Sequence, residues 1–199
     1  MTQIQNRAMS KQLHLFDEPT LGHDPRGRVR IALSTGTRGD ARFSACGRYR
    51  QVLRRWIGES FPERYWLLIG MNPSTADATV DDPTVRREWG FTLREGYTGF
   101  VKCNVGDFRA TFPADLSAPD VVACSPENLP AILAAAADAD RVVVCHGKLP
   151  RPLVAPAGLI VQALRDGRAN LFCFGRTKDG FPRHPLYLRR DTPLEPMFP

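Results

Sequence analysis

Apolar residues along the chain gather into short runs that alternate with segments of helical spacing. Four runs end at or near glycine or asparagine and read as strands buried on both faces, at residues 65–70, 99–104, 141–147 and 171–175. Helical patterns lie between them, one of them opening at Asp82 as the cap with Pro83 in the first turn. The alternation predicts an α/β protein, a three-layer αβα fold with a central four-stranded parallel sheet.

One further segment, before the first of these strands, carries helical spacing. Its apolar residues are Tyr49, Val52, Leu53, Trp56 and Ile57, and Gly58 follows them. These positions fall on one face of a helix, and glycine commonly ends a helix. The pattern therefore predicts an amphipathic helix that ends at Gly58.

Length and composition are typical of one domain with a short lead-in. The chain has 199 residues, and we expect a tail over residues 1–30 and a single domain over 31–199. No run approaches the roughly 18 apolar residues of a membrane span, and the N-terminus lacks a signal-peptide core, so we expect a cytoplasmic protein. We also expect a monomer. Five scattered cysteines without a C-x-x-C pair indicate reduced thiols rather than disulfides or a zinc or iron–sulfur site. We expect no metal or organic cofactor.

The net charge of +6 and the pI of 9.4 suit a polyanionic partner such as DNA. In parallel sheets, ligands bind at the carboxyl ends of the strands. The segments that follow the predicted strands, 71–77, 104–107, 146–148 and 176–186, are rich in hydrogen-bonding groups, glycine and proline. This pattern predicts a ligand site formed by those four segments.

The tail contains the peptide Gln12-Leu13-His14-Leu15-Phe16. It resembles the Gln-Leu-x-Leu-Phe peptide with which bacterial polymerases and repair proteins dock on the sliding clamp. Leu15 and Phe16 would be the apolar anchors, and Gln12 would orient the peptide at the rim, beside Leu13. A chance pentapeptide, or a first strand packed on the domain, is the alternative interpretation.

Two wider resemblances involve most of the chain. From about Phe43 to Leu188 it is similar to an uncharacterised bacterial and phage domain family marked by G-M-N-P-S-T-A-D, D-D-P-T and T-K-x-G-x-P-x-H-P-L. More distantly, the order of strands and loops resembles the uracil-DNA glycosylase superfamily. The first motif of that superfamily corresponds to residues 70–74, its late His-Pro-Ser motif to residues 184–186, and the asparagine ending its second strand to Asn104.

The distant resemblance implies a DNA glycosylase that hydrolyses the N-glycosidic bond of a flipped modified or damaged base. It places Asn72 at the attacking water and makes His184 a hydrogen-bond donor to the departing base. Two motif positions depart from the superfamily, with Ser74 in place of glycine and Leu186 in place of serine. Asp77 has no counterpart there and is a candidate general base or a candidate contact for a polar modification on a base.

The candidate residues fall into three sets. The catalytic candidates are Asn72, His184 and Asp77; the base-binding candidates are Met71, Asn104, Phe108 and His146; the DNA-binding candidates are Ser74, Lys148, Arg176, Lys178, Arg183, Leu186 and Tyr187. Structural interpretations stand beside them, because Asn-Pro-Ser is also a common turn, and Phe108 and His146 also suit the core.

Several functions are compatible with these sets. A glycosylase would serve DNA repair, phage defence or phage DNA modification. The alternatives are a non-catalytic DNA-binding module that recognises a modified base or inhibits a partner, and a hydrolase of free nucleosides or nucleotides.

Overall fold

The computed structural model describes residues 29–198, so the clamp-like peptide at 12–16 lies outside the described residues. The strands are β1 Ile31–Ala32, β2 Thr37–Phe43, β3 Arg50–Ile57, β4 Trp66–Gly70, β5 Val80–Asp81, β6 Gly99–Asn104, β7 Arg141–Val144, β8 Leu171–Cys173 and β9 Glu195–Pro196. The helices are α1 Pro83–Arg94, α2 Asn128–Ala136 and α3 Arg151–Asp166, with 3₁₀ turns at Pro113–Ser117 and Pro185–Tyr187.

Seven of the strands form one mixed sheet in the order β2-β3-β6-β4-β7-β8-β9, and β1 pairs with β5 separately. The pairs β6–β4, β4–β7 and β7–β8 are parallel, whereas β2–β3, β3–β6 and β8–β9 are antiparallel. The α/β class is therefore confirmed. The predicted sheet of four parallel strands is corrected to a seven-stranded mixed sheet, since antiparallel strands extend it at both edges.

The predicted helix over residues 49–58 is wrong, because this segment is strand β3. Its register pairs Leu53 with Lys102 of β6. Arg50 and Arg55 in this strand are fully buried, and Arg55 Nε lies 2.7 Å from Asp81 Oδ1. Buried arginines hide the period-two burial of a strand from a hydropathy pattern, and the apolar residues that remain fit a helical period by coincidence.

Helices cover both faces of the sheet. In β4, Leu67 and Ile69 join the core that contains residues of α2 and α3, while Trp66 and Leu68 join the core beneath α1. Complete burial of β4 confirms the strand predicted from the run at 65–70. Within residues 29–198, no helix is long and apolar enough to cross a membrane.

The start of α1 follows the sequence prediction. Asp82 Oδ1 accepts a hydrogen bond from the Val85 backbone N at 2.8 Å, and Pro83 occupies the first turn. An N-cap carboxylate also interacts favourably with the helix dipole. The start of α1 lies beside the carboxyl ends of β4 and β6, since Asp82 and Pro83 line one cavity with Met71 and Asn104.

Candidate active site

A cleft of about 550 Å³ lies at the carboxyl ends of the parallel strands. It is bounded by the segments after β4, β6 and β7, by the start of α1 and by the turn at residues 184–187. Nine predicted site residues line it: Met71, Asn72, Ser74, Asn104, His146, Lys148, His184, Leu186 and Tyr187. Four separate segments thus converge where the sequence predicted a ligand site, and the volume is in the usual range for small-molecule sites, about 300–1,000 Å³.

Asp77 does not line the cleft. Its Oδ1 accepts hydrogen bonds from Thr79 N at 2.8 Å, Thr79 Oγ1 at 3.0 Å and Val80 N at 3.0 Å. These bonds form a local turn of the kind that Asp side chains commonly stabilise. The structure therefore gives Asp77 a role in shaping the loop and leaves it outside the cleft lining that contains Asn72 and His184.

The remaining predicted residues also lie outside the cleft lining. Phe108 is buried in the core and meets Tyr49 edge-on at a ring distance of 5.7 Å. Arg176 donates to the carbonyls of Gly180 and Met197, which braces its own loop. Lys178 and Arg183 are exposed near this loop. The core interpretation of Phe108 is thus the one that the structure favours.

Asn72 is held with its amide in a defined orientation. Nδ2 donates to the carbonyl of Pro73 at 3.0 Å and to that of Ala110 at 2.6 Å. Carbonyl oxygens only accept, so the two bonds identify which side-chain atom is the nitrogen. Oδ1 makes no hydrogen bond to the described residues and is available to accept one from a water or a ligand.

His184 is a neutral hydrogen-bond donor. Its Nδ1 accepts a hydrogen bond from Leu186 N at 3.3 Å, so in the neutral ring the proton is on Nε2. Burial, together with the nearby charge of Lys102, lowers the pKa of His184 to about 4. His184 packs closely on Gly147, because a Cβ on that residue, at φ +72°, would lie 2.9 Å from the His184 Cβ.

His146 has the opposite tautomer. Its Nδ1 lies 2.7 Å from the carbonyl oxygen of Gly147, so Nδ1 must donate and Nε2 carries the free electron pair. Burial lowers the pKa of His146, which keeps the ring neutral near pH 7. One cleft therefore holds two neutral histidines, His184 with a donor at Nε2 and His146 with an acceptor at Nε2.

Lys102 and Asn104, at the carboxyl end of β6, form the floor of the cleft. Asn104 is 1% exposed, and neither Nδ2 nor Oδ1 has a hydrogen-bond partner among the described residues. Lys102 is 3% exposed, and its Nζ lies 2.5 Å from Glu88 Oε1 of α1. A Cβ on Gly70 would lie 2.8 Å from both Asn104 Oδ1 and Lys102 Nζ, so a larger residue there would displace one or both of these side chains.

Burial raises the pKa of Glu88, and the charge of Lys102 opposes that shift. Unpaired buried polar atoms are costly, commonly about 1–3 kcal/mol each. Asn104 therefore presents an unsatisfied donor and an unsatisfied acceptor to the cleft, as expected of a residue that binds a ligand.

Three charged residues of the site were absent from the predicted set, namely Lys102, Glu88 and Asp82. Lys102 and Asp82 line the cleft, and Glu88 pairs with the lysine from behind. A signal for Lys102 was present in the sequence, because a lysine two positions before Asn104 in a buried strand must share its face. Asp82 was interpreted as a cap, which it is, although it also faces the cleft.

The rim is exposed and amphipathic. Tyr187 is 81% exposed and lies beside His184, with ring centroids 5.7 Å apart. Lys148 Nζ lies 3.2 Å from Asp179 Oδ2 at the surface, and Ser74 Oγ lies 2.8 Å from Thr111 Oγ1. Within the described part of the chain, no group of three His, Cys, Asp or Glu side chains is arranged to hold a metal ion.

Comparison with known proteins gives one match. The family described as "Protein of unknown function (DUF1643)" matches residues 48–186, a span that contains the floor residues and both histidines of the cleft. No curated protein and no solved structure matches significantly. The predicted similarity to an uncharacterised family is confirmed at this level, and the chain belongs to the DUF1643 family.

Proposed function

We propose that this protein binds DNA and hydrolyses the N-glycosidic bond of a flipped base held in the cleft. The observation that carries the proposal is the convergence of Asn72, Asn104, His146 and His184 at one edge of the parallel strands. The superfamily resemblance assigns glycosylase roles to Asn72, Asn104 and His184. The free acceptor of Asn72, the unpaired amide of Asn104 and the Nε2 donor of His184 suit those roles. A uracil-DNA-glycosylase-like architecture is part of this proposal.

Hydrolysis requires a positioned water and stabilisation of the base as it leaves. The water would donate one hydrogen bond to Asn72 Oδ1 and one to His146 Nε2. As its oxygen attacks the sugar C1′, the bond to the base nitrogen breaks and its electron pair goes to the base. The water proton passes to His146, because an amide such as Asn72 has no useful basicity, and the Nε2–H of His184 supports the charge on the base.

Recognition of the base and of DNA would use the other cleft residues. Asn104 offers a donor and an acceptor to the base edge at the floor, beside Met71. The exposed Leu186 and Tyr187 would fill the gap that the flipped base leaves in the stack. The phosphates would meet the rim and its neighbouring loop, through Ser74, Lys148, Arg176, Lys178 and Arg183.

The wider setting follows from the same proposal. We propose a cytoplasmic monomer without a cofactor, recruited to DNA through the clamp-like peptide. Repair, phage defence and phage DNA modification are the processes in which such an enzyme would serve.

The direct test is mass spectrometry of free base released from DNA. The substrates are oligonucleotides with uracil, deaminated, alkylated and phage-type hypermodified bases, each in single-stranded and duplex form. Asn72→Ala and His184→Ala test the cleft. Asn170→Ala is the matched control, because the Asn170 side chain bonds the carbonyl of Asp140 away from the cleft lining.

We expect release of one base by the wild type and by Asn170→Ala, and at least about a hundredfold slower release by the two cleft variants at unchanged DNA affinity. Absence of release from every substrate, with tight binding to one of them, would replace the glycosylase by a module that reads or blocks a base. Release from free nucleosides but not from DNA would favour the nucleoside hydrolase.

A further inference from the structure

We infer that Lys102 is a catalytic residue that stabilises the negative charge on the departing base. This inference rests on the proposed glycosylase function and deepens it. Neither the predicted site nor the superfamily motifs quoted above include this lysine. It is argued from the position of its ammonium group and from the hydrogen-bonding groups around it.

Lys102 lies where the base of a flipped nucleotide would be. The rim of the cleft is exposed at Tyr187 and Lys148, whereas Lys102 and Asn104 at the floor are almost fully buried. A nucleotide that enters from the rim leaves its sugar and phosphates near the surface and inserts its base to the floor. The lysine therefore meets the base, where negative charge develops, and not the sugar, where positive charge develops.

The ion pair presents its positive end to the cleft. Lys102 lines the cavity, while Glu88, its partner at 2.5 Å, does not. Glu88, in α1, thus neutralises the charge of Lys102 from the side away from the cleft. This pairing offsets the desolvation cost of the buried ammonium group before a substrate binds. Because Lys102 is nearer to the base than Glu88 is, the electrostatic potential at the base is positive.

Lys102 has hydrogen-bonding capacity in reserve. Its ammonium group has three donors, and Glu88 takes one of them. The other two find no acceptor among the described residues. Asn104 Oδ1, its neighbour across Gly70, is likewise without a partner. A base atom that gains electron density on bond cleavage would supply the missing acceptor.

The electron balance needs no additional reactant. When the C1′–N bond breaks, both electrons stay on the base, which leaves as an anion or takes a proton from solvent after release. Lys102 keeps its proton and acts by charge and by hydrogen bonding. Such preorganised stabilisation in a dry site accelerates reactions by about 10²–10³-fold per donor.

The experiment compares leaving groups. A base with a fluorine substituent departs more easily and needs less stabilisation, so the pairs are the base identified by the release assay and its fluorinated analogue, for example uracil with 5-fluorouracil. Single-turnover rates are measured for the wild type, Glu88→Gln and the double variant Lys102→Met with Glu88→Gln. The two variants differ only at Lys102, and the double variant leaves no unpaired buried acid.

We expect the double variant to cleave the unfluorinated base about 10²–10³-fold more slowly than Glu88→Gln. The deficit should shrink at least tenfold on the fluorinated base, while Glu88→Gln keeps the leaving-group dependence of the wild type. Thermal melting verifies that both variants fold. Equal deficits on both bases, or none, would overturn the inference and leave the glycosylase intact; absence of release by the wild type would overturn both.

Discussion

At the scale of single residues, the two histidines show how backbone contacts determine chemistry. The same side chain becomes a donor at position 184 and an acceptor at position 146, because Nδ1 faces an N–H in one case and a carbonyl in the other. The sequence identified both residues as site candidates. It held no information about their tautomers, which depend on local geometry within the folded loops.

The depressed pKa of His184 predicts acid sensitivity. The unfolded chain takes up a proton near the ordinary value of 6.5, and the folded chain takes it up only near 4. The free energy of unfolding therefore has its full value above pH 6.5, where His184 is neutral in both states. As the pH falls toward 4, protonation of the unfolded chain lowers the free energy of unfolding by up to about 3 kcal/mol. Urea unfolding between pH 7 and pH 4 measures this loss. His184→Asn, which retains a donor but does not titrate there, should show a shallower decline.

His146 adds to the acid sensitivity with the same sign, since burial lowers its pKa too. The comparison between wild type and His184→Asn isolates the part due to His184. Identical pH dependence of the free energy of unfolding in the two proteins would contradict the neutral, buried state assigned to this ring.

At the scale of elements, strand β3 and the loop after β4 depend on each other. Arg55 of β3 donates from Nη2 to the carbonyls of Asp77 and Val80, and from Nε to Asp81. A buried arginine thus shapes the segment that carries Asn72. The sequence pattern predicted an amphipathic helix here and left Arg55 out of its apolar face, because a buried charge is recognisable only once its partners are known.

The strands that were predicted well are those with uniform burial. Runs such as 99–104 are apolar apart from Lys102 and the terminal Asn104, so neither their type nor their position depends on distant partners. Antiparallel edge strands carry mixed patterns, and β9 is only two residues long. The four parallel strands of the sheet were therefore accessible from the sequence, and the antiparallel strands β2, β3 and β9 were not.

The loop after β4 provides a prediction about Asp77. Asp77→Ala removes the acceptor of three hydrogen bonds and should lower the free energy of unfolding by about 1–2 kcal/mol. Asp77→Asn keeps an oxygen acceptor and should cost less. Because Asp77 does not line the cleft, both variants should release base at rates within a few fold of the wild type.

Thermal unfolding and the base-release assay test the two halves of this prediction. Abolished release by Asp77→Asn in a protein of normal stability would restore Asp77 as the general base. It would also remove His146 from that role.

At the scale of the whole molecule, a basic chain has a cleft with two neutral histidines and an ion-paired lysine, and beside it a loop with several exposed basic side chains. The excess of six positive charges is spread over the sequence, whereas the cleft balances Lys102 with Glu88 and keeps both histidines uncharged. In the proposed glycosylase, long-range attraction to a polyanion and short-range chemistry on a base would therefore use separate residues. The net charge follows from the composition, whereas the composition does not show which charged residues lie in the cleft and which lie outside it.

The same separation predicts how the tail relates to the cleft. Residues 12–16 precede the described domain, and the residues assigned to base release all lie within it. Leu15→Ala with Phe16→Ala removes both apolar anchors, which usually dominate the affinity of such short peptides. Pull-down of purified bacterial sliding clamp should then fail, while base release from short oligonucleotides should keep the wild-type rate.

Leu21→Ala is the matched control, because it removes an apolar side chain from the same tail outside the pentapeptide. Equal clamp capture by the wild type and the double variant would refute the docking role. Loss of release from free oligonucleotides would mean that the tail also contributes to the cleft. Preserved release with lost capture is the expected result, since a peptide that recruits the protein to DNA acts on local concentration and leaves the chemistry of the bound base unchanged.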